Sequence, residues 1–265
     1  MKQQFTFVVC AYKDSPYLEA AVLSALQQSV PVEVIIATST PSDYIAGIAA
    51  KYNIPCFINT ARKGIAADWN FALKQVRTPY AAILHQDDIY FRNYAEKIIA
   101  GFKKNTDALI AFTDYCDLMD DGKFHPYRLY LQIKRLLLWA FYLKNSHRSF
   151  LFKSSAVSLG NAICCPAVSY NMGMINETAF DTSFSVNLDW AKWIELTKRK
   201  GAFVFIPKIL MAHRIADSME TASAIADNRR YEEDFRIFSS IWGEKIATFL
   251  MKFYKKAYSS NSGKA

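Results

Sequence analysis

Two adjacent carboxylates, Asp87 and Asp88, follow a run of small and apolar residues at 81–84 that has the composition of a buried strand. In open α/β sheets, ligands bind beyond the carboxyl ends of the strands. Carboxylate oxygens suit a hard cation such as Mg²⁺ or Mn²⁺, which takes further ligands from substrate phosphates. The pair therefore indicates a site for a divalent metal and a diphosphate. The alternative is that the two aspartates cap the helix that follows.

A third carboxylate, Asp189, stands between Leu188 and Trp190 at the start of an apolar, tryptophan-rich segment. An aspartate with such neighbours is a poor surface residue, and a partly dry environment suits a carboxylate that acts as a general base. Asp189 is therefore a candidate base. The alternative is that Asp189 or Asn187 is the N-cap of a helix at 190–197.

The elements that must position these carboxylates alternate between strand and helix. We predict strands at 5–11, 32–37, 56–58, 81–84, 109–113 and 202–206. We predict helices after Pro16, up to about 52, from 65 to about 75, at 95–102 and at 190–197. This alternation with short connections predicts an α/β fold in which helices flank a mostly parallel sheet.

The length and composition are those of a folded protein with one large domain, or with one domain and a helical extension. The chain has 265 residues, of which 52% are hydrophobic and 15% aromatic, so a sizeable core is available. Disorder is expected only at the tail 259–265. The five cysteines are odd in number and scattered, which fits a reducing cytoplasm rather than a disulfide framework or a zinc site. The first eleven residues indicate a strand rather than a signal peptide.

The net charge of +8 is concentrated in two segments. Residues 122–176 contain no acidic residue but seven basic ones: Lys123, Arg128, Lys134, Arg135, Lys144, Arg148 and Lys153. No acidic residue follows Glu244, whereas five lysines do: Lys245, Lys252, Lys255, Lys256 and Lys264. Phenylalanine and leucine are mixed into both segments, a composition that favours lipid over nucleic acid as the partner.

The apolar run 136–143 is much shorter than the roughly 20 residues of a membrane-spanning helix. Its flanking basic residues, together with Trp139 and Tyr142, predict a helix that lies in the interface of an anionic membrane. The segment 246–256 repeats this composition. The alternative is a core or subunit-contact helix with a polar outer face.

In order and spacing, these features resemble the family 2 glycosyltransferases, which have the GT-A fold. The resemblance covers roughly residues 5–221. Its motifs are a first strand ending in Ala-Tyr-Lys-Asp, then Lys63-Gly64 with Asp68-Trp-Asn70, the aspartate pair, and, about 100 residues on, an isolated aspartate before a tryptophan-rich helix. An arginine with a serine/threonine cluster completes the pattern.

The resemblance implies a role for each matching residue. Tyr12 and Asp14 would hold the base and ribose of a nucleotide-sugar, and Asn70 matches the asparagine of an arginine–asparagine pair near the nucleotide. Arg214 and Ser218 match a segment that closes over the diphosphate. The remaining matches are Asp87 and Asp88 with the end of an Asp-x-Asp-Asp metal motif, and Asp189 with the catalytic base. In the mechanism that we expect, Arg214 and Lys63 would stabilise the departing charge.

The chain departs from the family pattern at several positions. Ser39 and Thr40 replace the aspartates that usually follow the second strand, and Trp69 replaces an arginine. His85 and Leu188 replace acidic residues of the metal and base motifs. Ala216 replaces a histidine of the closing segment. His213, three residues away, would take that place as a metal ligand; the alternative is a hydrogen-bonded structural histidine.

We therefore expect an inverting glycosyltransferase that uses Mn²⁺ or Mg²⁺ and a nucleoside-diphosphate sugar, with a UDP-sugar favoured. The acceptor would be a hydroxyl of a glycan or lipid-linked acceptor in cell-envelope polysaccharide synthesis, at the inner face of the cell membrane. We expect a glycosyltransferase domain at 1–221, with the basic aromatic insert at about 127–153, and a helical extension at 222–265. No nucleic-acid partner is expected, and a homo-oligomer is left open.

Three alternatives remain. A catalytically inactive relative would bind a nucleotide-sugar and act through a protein or membrane partner, and the replaced acidic residues favour it. A nucleotidyltransferase would carry a glycine-rich basic loop after the first strand, where residues 11–16 contain no glycine. A purely structural membrane-surface protein would leave the three carboxylates without a role.

Overall fold

The computed structural model describes residues 3–61, 64–175, 179–215 and 229–261. The described strands are β1 (Phe5–Ala11), β2 (Glu33–Thr38), β3 (Cys56–Ile58), β4 (Tyr80–His85), β5 (Ile89–Tyr90), β6 (Ala108–Leu118), β7 (Phe124–His125), β8 (Ser146–His147), β9 (Val168–Asn171) and β10 (Ala202–Arg214). The described helices are α1 (Leu18–Leu26), α2 (Asp43–Lys51), α3 (Ile65–Lys74), α4 (Tyr94–Lys104), α5 (Leu129–Leu137), α6 (Trp139–Leu143), α7 (Phe150–Ser155), α8 (Met172–Ile175), α9 (Leu188–Thr197), α10 (Arg229–Trp242) and α11 (Glu244–Asn261).

The described strands form one sheet in the order β3-β2-β1-β4-β9-β6-β10-β5, with β7 on β6 and β8 on β10. The neighbours in β3-β2-β1-β4 are parallel, and β6 is parallel to β10. The strand β9 runs antiparallel between β4 and β6. The predicted α/β fold with a mostly parallel sheet is confirmed.

The central strands are apolar on both faces, because helices cover the sheet on both sides. In β1, Val8 belongs to one core cluster, whereas Phe7 and Val9 belong to the other. In β4, Ile83 and Leu84 divide in the same way and are at most 1% exposed. Two-sided burial explains why these strands are continuous apolar runs rather than alternating patterns.

The carboxyl ends of four parallel strands are aligned at one edge of the sheet. Ala11 of β1 pairs with Thr38 of β2, and Thr38 pairs with Ile58 of β3. On the other side of β1, Cys10 pairs with His85 of β4. The residues that follow these four strands therefore emerge side by side.

The strand predicted at 202–206 is longer in the structure and continues to Arg214. Its pairing with β6 shifts between Ile206 and Ile209. Pro207 lies within this irregularity and has no N–H to donate to the sheet. The continuation matters because it carries Arg214 to the edge where β4 ends.

The C-terminal helices pack on the same core as the sheet. Phe238 of α10 and Met251 of α11 belong to the cluster that contains Trp190. The Trp190 ring lies 5.1 Å from the Phe238 ring and 6.3 Å from the Tyr254 ring, measured between centroids. The expected extension at 222–265 is thus helical where the structure describes it, and its separation from a domain at 1–221 stays a prediction.

None of the described helices combines the length and the apolar character needed to cross a membrane.

Gly201, in the turn between α9 and β10, gives a test of this packing. Its φ is +121°, and a Cβ there would lie 2.6 Å from the Asp107 carbonyl oxygen and 2.9 Å from Leu109 Cγ. We predict that Gly201→Ala lowers the free energy of unfolding by about 2–4 kcal/mol, because backbone strain adds to the clash. Urea unfolding of the full chain measures this change.

Gly47→Ala is the matched control. Gly47 lies inside α2, and a Cβ there would meet nothing within 4 Å. This change should raise the free energy of unfolding by about 0.5–1 kcal/mol, as alanine does in an unstrained helix. Equal effects of the two substitutions would contradict the described turn.

Candidate active site

Asp88 is entirely buried directly after β4, and Asp87 beside it is half-buried. Asp88 Oδ1 accepts a hydrogen bond from the backbone N–H of Arg214, at 2.9 Å. Asp88 Oδ2 has no hydrogen-bond partner among the described residues. Burial raises the pKa of Asp88 well above its usual range, the Asp87 charge adds to this, and the Arg214 hydrogen bond opposes it. The N-cap of α4 is Asn93, so the alternative that the aspartates cap this helix is wrong.

His85, Asp87 and Asp88 each offer one ligand atom, and these atoms lie within 4.8 Å of one another. His85 Nδ1 is 3.4 Å from Asp88 Oδ2, and Trp69 stacks on the imidazole with 5.2 Å between ring centroids. Burial lowers the pKa of His85, although the Asp87 and Asp189 charges oppose this shift. A neutral imidazole is the form that binds metals. Together with the unpartnered oxygen of Asp88, this donor set fits a divalent cation such as Mn²⁺.

His213, which the sequence offered as a metal ligand, is not part of this group of three. It lies in β10 opposite Asp117 of β6, and its ring meets the Tyr115 ring edge-on at 6.4 Å. Burial lowers the pKa of His213 to about 3, and neighbouring His85 adds to the shift. His213 is therefore a neutral neighbour of the group, and its role as a ligand stays a prediction.

Arg214 brings a cation to the aspartate pair. Its Nε donates a hydrogen bond to the backbone carbonyl of Asp87, at 3.0 Å. The guanidinium carbon also lies 4.0 Å from the centre of the Tyr17 ring. Arginine held in this way suits the binding of phosphate oxygens. Lys63 and Ser218, the other residues expected near the diphosphate, lie outside the described residues.

Gln86 holds the loop after β1 next to the group of His85, Asp87 and Asp88. It donates a hydrogen bond to the Tyr12 carbonyl and accepts one from the Tyr12 N–H, both at 2.9 Å. The Tyr12 side chain is 55% exposed at this edge, and Asp14 accepts a hydrogen bond from Ser42, at 2.6 Å. The sequence analysis missed Gln86, for which the signal was its place in the polar turn before Asp87.

Asn70 ties helix α3 to the segment at Phe180. Its amide donates to the Phe180 carbonyl at 3.0 Å and accepts from the Phe180 N–H at 2.7 Å. Trp69, which precedes it, meets the Phe180 ring edge-on at 5.1 Å. The described contacts of Asn70 thus position the chain around Phe180, and its expected place beside the nucleotide stays a prediction.

Asp189 lies in the first turn of α9, after Asn187 at the N-cap position, so Asp189 is not the cap. Asp189 Oδ2 accepts a hydrogen bond from Asn161 at 2.8 Å, and Oδ1 accepts one from the Trp190 N–H at 2.7 Å. Burial raises the pKa of Asp189, whereas the charge of Arg230 and these two hydrogen bonds lower it. The Asp189 carboxylate is close enough to His85 for its charge to raise the pKa of that imidazole.

Two charged side chains hold α9 at its ends. Before its N-terminus, the Glu233 carboxylate accepts the N–H groups of Ser185, Val186 and Asn187, at 2.6, 3.0 and 2.7 Å. Beyond its C-terminus, the buried Lys153 ammonium donates to the carbonyls of Arg199 and Gly201, at 2.6 and 3.1 Å. A negative charge at the N-terminus and a positive charge at the C-terminus both complement the helix dipole. The helix that carries Asp189 is therefore firmly positioned.

The comparisons with known proteins agree with this architecture. The sequence profile of glycosyl transferase family 2 matches residues 6–166. An uncharacterised glycosyltransferase of Rickettsia typhi is 23% identical over 234 residues, which make up 86% of this chain and 69% of the relative.

Solved structures share the fold at low sequence identity. S. aureus TarS 1–349 in complex with UDP-GlcNAc superposes with a TM-score of 0.63 at 14% identity, over 97% of this chain and 73% of that chain. The mannosyltransferase PcManGT from Pyrobaculum calidifontis, in complex with GDP-Man and Mn²⁺, superposes with a TM-score of 0.63 at 14% identity, over 91% of this chain and 64% of that chain. This chain spans 39% of a longer TarS chain.

The profile covers more than half of the residues, so this protein belongs to glycosyl transferase family 2. The expected family and the GT-A fold are confirmed, and the nucleotidyltransferase alternative is set aside.

Glu233 gives a prediction on the site itself. We expect Glu233→Ala to leave three backbone N–H groups without their acceptor and to lower the free energy of unfolding by about 1–3 kcal/mol. The amides of Ser185, Val186 and Asn187 should exchange with deuterium faster, as measured by mass spectrometry on the peptides around them. Glu232→Ala removes an exposed carboxylate one position away on α10 and is the control. Unchanged exchange in Glu233→Ala would contradict this role.

Proposed function

We propose that this protein is an inverting glycosyltransferase that uses a nucleoside-diphosphate sugar, with a UDP-sugar favoured. The observation that carries the proposal is the metal-ligand group of His85, Asp87 and Asp88 beside Arg214, with the half-buried carboxylate of Asp189 nearby. This combination provides binding for a diphosphate leaving group and a base for the acceptor.

The donor's diphosphate would lie between the ligand group and Arg214. Asp88 and Asp87, with His85, would hold Mn²⁺ or Mg²⁺, and a bound divalent cation neutralises charge on a departing diphosphate. Arg214 would donate charge-assisted hydrogen bonds to the phosphate oxygens. Tyr12 would contact the nucleoside part.

Asp189 would accept the proton of the acceptor hydroxyl as that oxygen attacks the anomeric carbon from the face opposite the leaving group. One displacement of this kind inverts the configuration at the anomeric carbon. Its partner Asn161 would hold the carboxylate in place through the hydrogen bond to Oδ2. The acceptor would be a glycan or lipid-linked hydroxyl in cell-envelope polysaccharide synthesis.

Asp189→Asn tests the base. We predict that it lowers kcat for sugar transfer by about 10²–10⁴-fold, because the amide cannot accept the proton. UDP affinity should stay within about threefold, since the proposal places Asp189 at the acceptor hydroxyl rather than at the nucleotide. Asp88→Ala should instead abolish the metal dependence of UDP binding. Asp120→Asn, an exposed aspartate in a turn, is the control.

The pH dependence of kcat/KM is a second test of Asp189 as the base. Asp189 must be ionised to act, so activity falls as the pH drops through its pKa, which burial raises. Asn161→Ala removes a hydrogen bond that lowers this pKa and should move the acid limb to higher pH. Near-normal turnover of Asp189→Asn would sink the assignment. Donor binding by the wild type without transfer or donor hydrolysis would favour the inactive-relative alternative.

We propose in addition that the protein docks peripherally on the inner face of the cell membrane through an apolar surface formed by 127–152 and α11. Leu129, Leu136 and Leu143 are 78%, 71% and 80% exposed. Further exposed side chains of this surface are Tyr127, Ile133, Trp139, Tyr142, Phe150, Leu151, Phe152, Ile246 and Phe249. Leu137 of α5 and Tyr254 of α11 both border Gly160, so the two segments are neighbours.

The charge of this surface is smaller than the sequence suggests. Arg128 pairs with Asp117, Arg135 with Asp114 and Arg148 with Asp107, while Lys153 is buried. Exposed lysines of the same segments, Lys144, Lys245 and Lys252, remain to attract anionic headgroups. Apolar contact therefore contributes more to this proposal than charge does.

Vesicle flotation tests the membrane surface. The wild type should float with vesicles of phosphatidylcholine and phosphatidylglycerol, more weakly with phosphatidylcholine alone, and the double variant Leu136→Gln/Leu143→Gln should bind at least about tenfold more weakly because two exposed apolar side chains are lost. Ile58→Gln, which changes an apolar side chain that is 49% exposed on β3, is the control.

Two results would count against the membrane. The first is equal flotation of the double variant and the wild type. The second is self-association of the wild type in analytical ultracentrifugation that the double variant loses, since this surface would then join copies of the chain.

A further inference from the structure

A carboxylate from α3 reaches the edge where the first three strands end. Ser39 follows β2 and Asn59 follows β3, side by side because Thr38 pairs with Ile58. Asp68, in the first turn of α3, accepts a hydrogen bond from Ser39 Oγ at Oδ2, at 2.8 Å, and one from Asn59 Nδ2 at Oδ1, at 2.7 Å. Both carboxylate oxygens are thus fixed at the end of β2.

The carboxylate lies where this chain departs from its family. The usual aspartates after the second strand are replaced by Ser39 and Thr40. The Ser39 hydroxyl donates a hydrogen bond to Asp68. The negative charge at the end of β2 therefore comes from Asp68 of α3 and not from the residues that follow β2. The two donors are neutral, and they orient the carboxylate without cancelling its charge. A carboxylate has about four lone-pair positions, so Asp68 retains capacity to accept from a ligand.

The surroundings of Asp68 suit a nucleoside. Tyr12 follows β1 next to Ser39, because Ala11 pairs with Thr38, and its half-exposed ring offers a face on which a base can stack. The Lys13 N–H donates a hydrogen bond to Thr40 Oγ1 at 2.6 Å, which joins the loop after β1 to the loop after β2. An aromatic face and an oriented acceptor therefore meet at one edge.

We propose that Asp68 recognises the donor nucleotide by accepting a hydrogen bond from the ring N–H of its base. This inference rests on the proposed function. Uracil and thymine carry that proton on N3 and guanine carries it on N1, whereas cytosine and adenine present an acceptor nitrogen at the equivalent ring position. A carboxylate attracts the first group and repels the second, so Asp68 selects uridine, thymidine or guanosine diphosphates over cytidine and adenosine diphosphates.

Isothermal titration calorimetry with UDP and CDP, each with Mn²⁺, tests the proposal on the full chain. The wild type should bind UDP at least about tenfold more tightly than CDP, as expected when a charged acceptor is matched or left unpaired. Asp68→Asn should weaken UDP binding by about 10–100-fold and weaken CDP binding less, because the amide can donate to the cytosine ring nitrogen.

Moving the carboxylate to the other strand distinguishes recognition from loss of structure. The double variant Ser39→Asp/Asp68→Ser restores the acidic residue at the end of β2 and should regain UDP binding to within about tenfold of the wild type. Asp43→Asn, which removes one negative charge in the first turn of α2, should leave UDP and CDP affinities unchanged. Thermal unfolding of each variant without nucleotide confirms that it is folded.

Three outcomes would overturn the inference: unchanged UDP affinity in Asp68→Asn, an equal loss of UDP and CDP, or no recovery in the folded double variant. If the wild type binds no nucleotide in the calorimeter, the proposed function itself fails. These failures are distinct, because the first three require a wild type that binds UDP.

Discussion

The position of Asp189 depends on how α9 is held between two charged side chains. Glu233 accepts the N–H groups that precede the helix, and Lys153 donates to carbonyls beyond its end. A buried charge is costly unless it is paired and hydrogen-bonded, so these contacts resist rearrangement. Glu233 belongs to α10 and Lys153 to α7. Both segments therefore help to build the site as well as the protein's surface.

The basic aromatic insert and the C-terminal helices divide their residues between core and surface. Three arginines of the insert pair with Asp114 and Asp117 of β6 and with Asp107, which precedes β6. The C-terminal helices place Phe238 and Met251 in the core beside Trp190. Other apolar side chains of these segments, among them Leu136, Leu143 and Phe249, are exposed. A membrane that binds the proposed surface would therefore contact α7, whose Lys153 also holds the helix of the candidate base.

The sequence predicted the alternation of elements and the sheet, because apolar strands and helix signals are local patterns. The family was indicated by the resemblance of its motifs in order and spacing. It also singled out Asp87, Asp88, Asp189 and Arg214, which the structure brings to one region. It missed β9, a short strand inserted antiparallel between parallel neighbours, and it ended the strand β10 at residue 206. It assigned the insert's arginines to a membrane, since it could not show that Asp107, Asp114 and Asp117 lie opposite them.

The sequence by itself determined the type of fold and the positions of the carboxylates at strand and helix ends, because both follow from patterns a few residues long. Only the tertiary structure decided the partners of those carboxylates. Asp68 with Ser39 and Glu233 with Ser185 are pairs separated by 29 and 48 residues. Such contacts arise from the alignment of strand ends and the packing of helices. Hydrophobic periodicity cannot predict them, because it indicates only which residues are buried and not which residues meet.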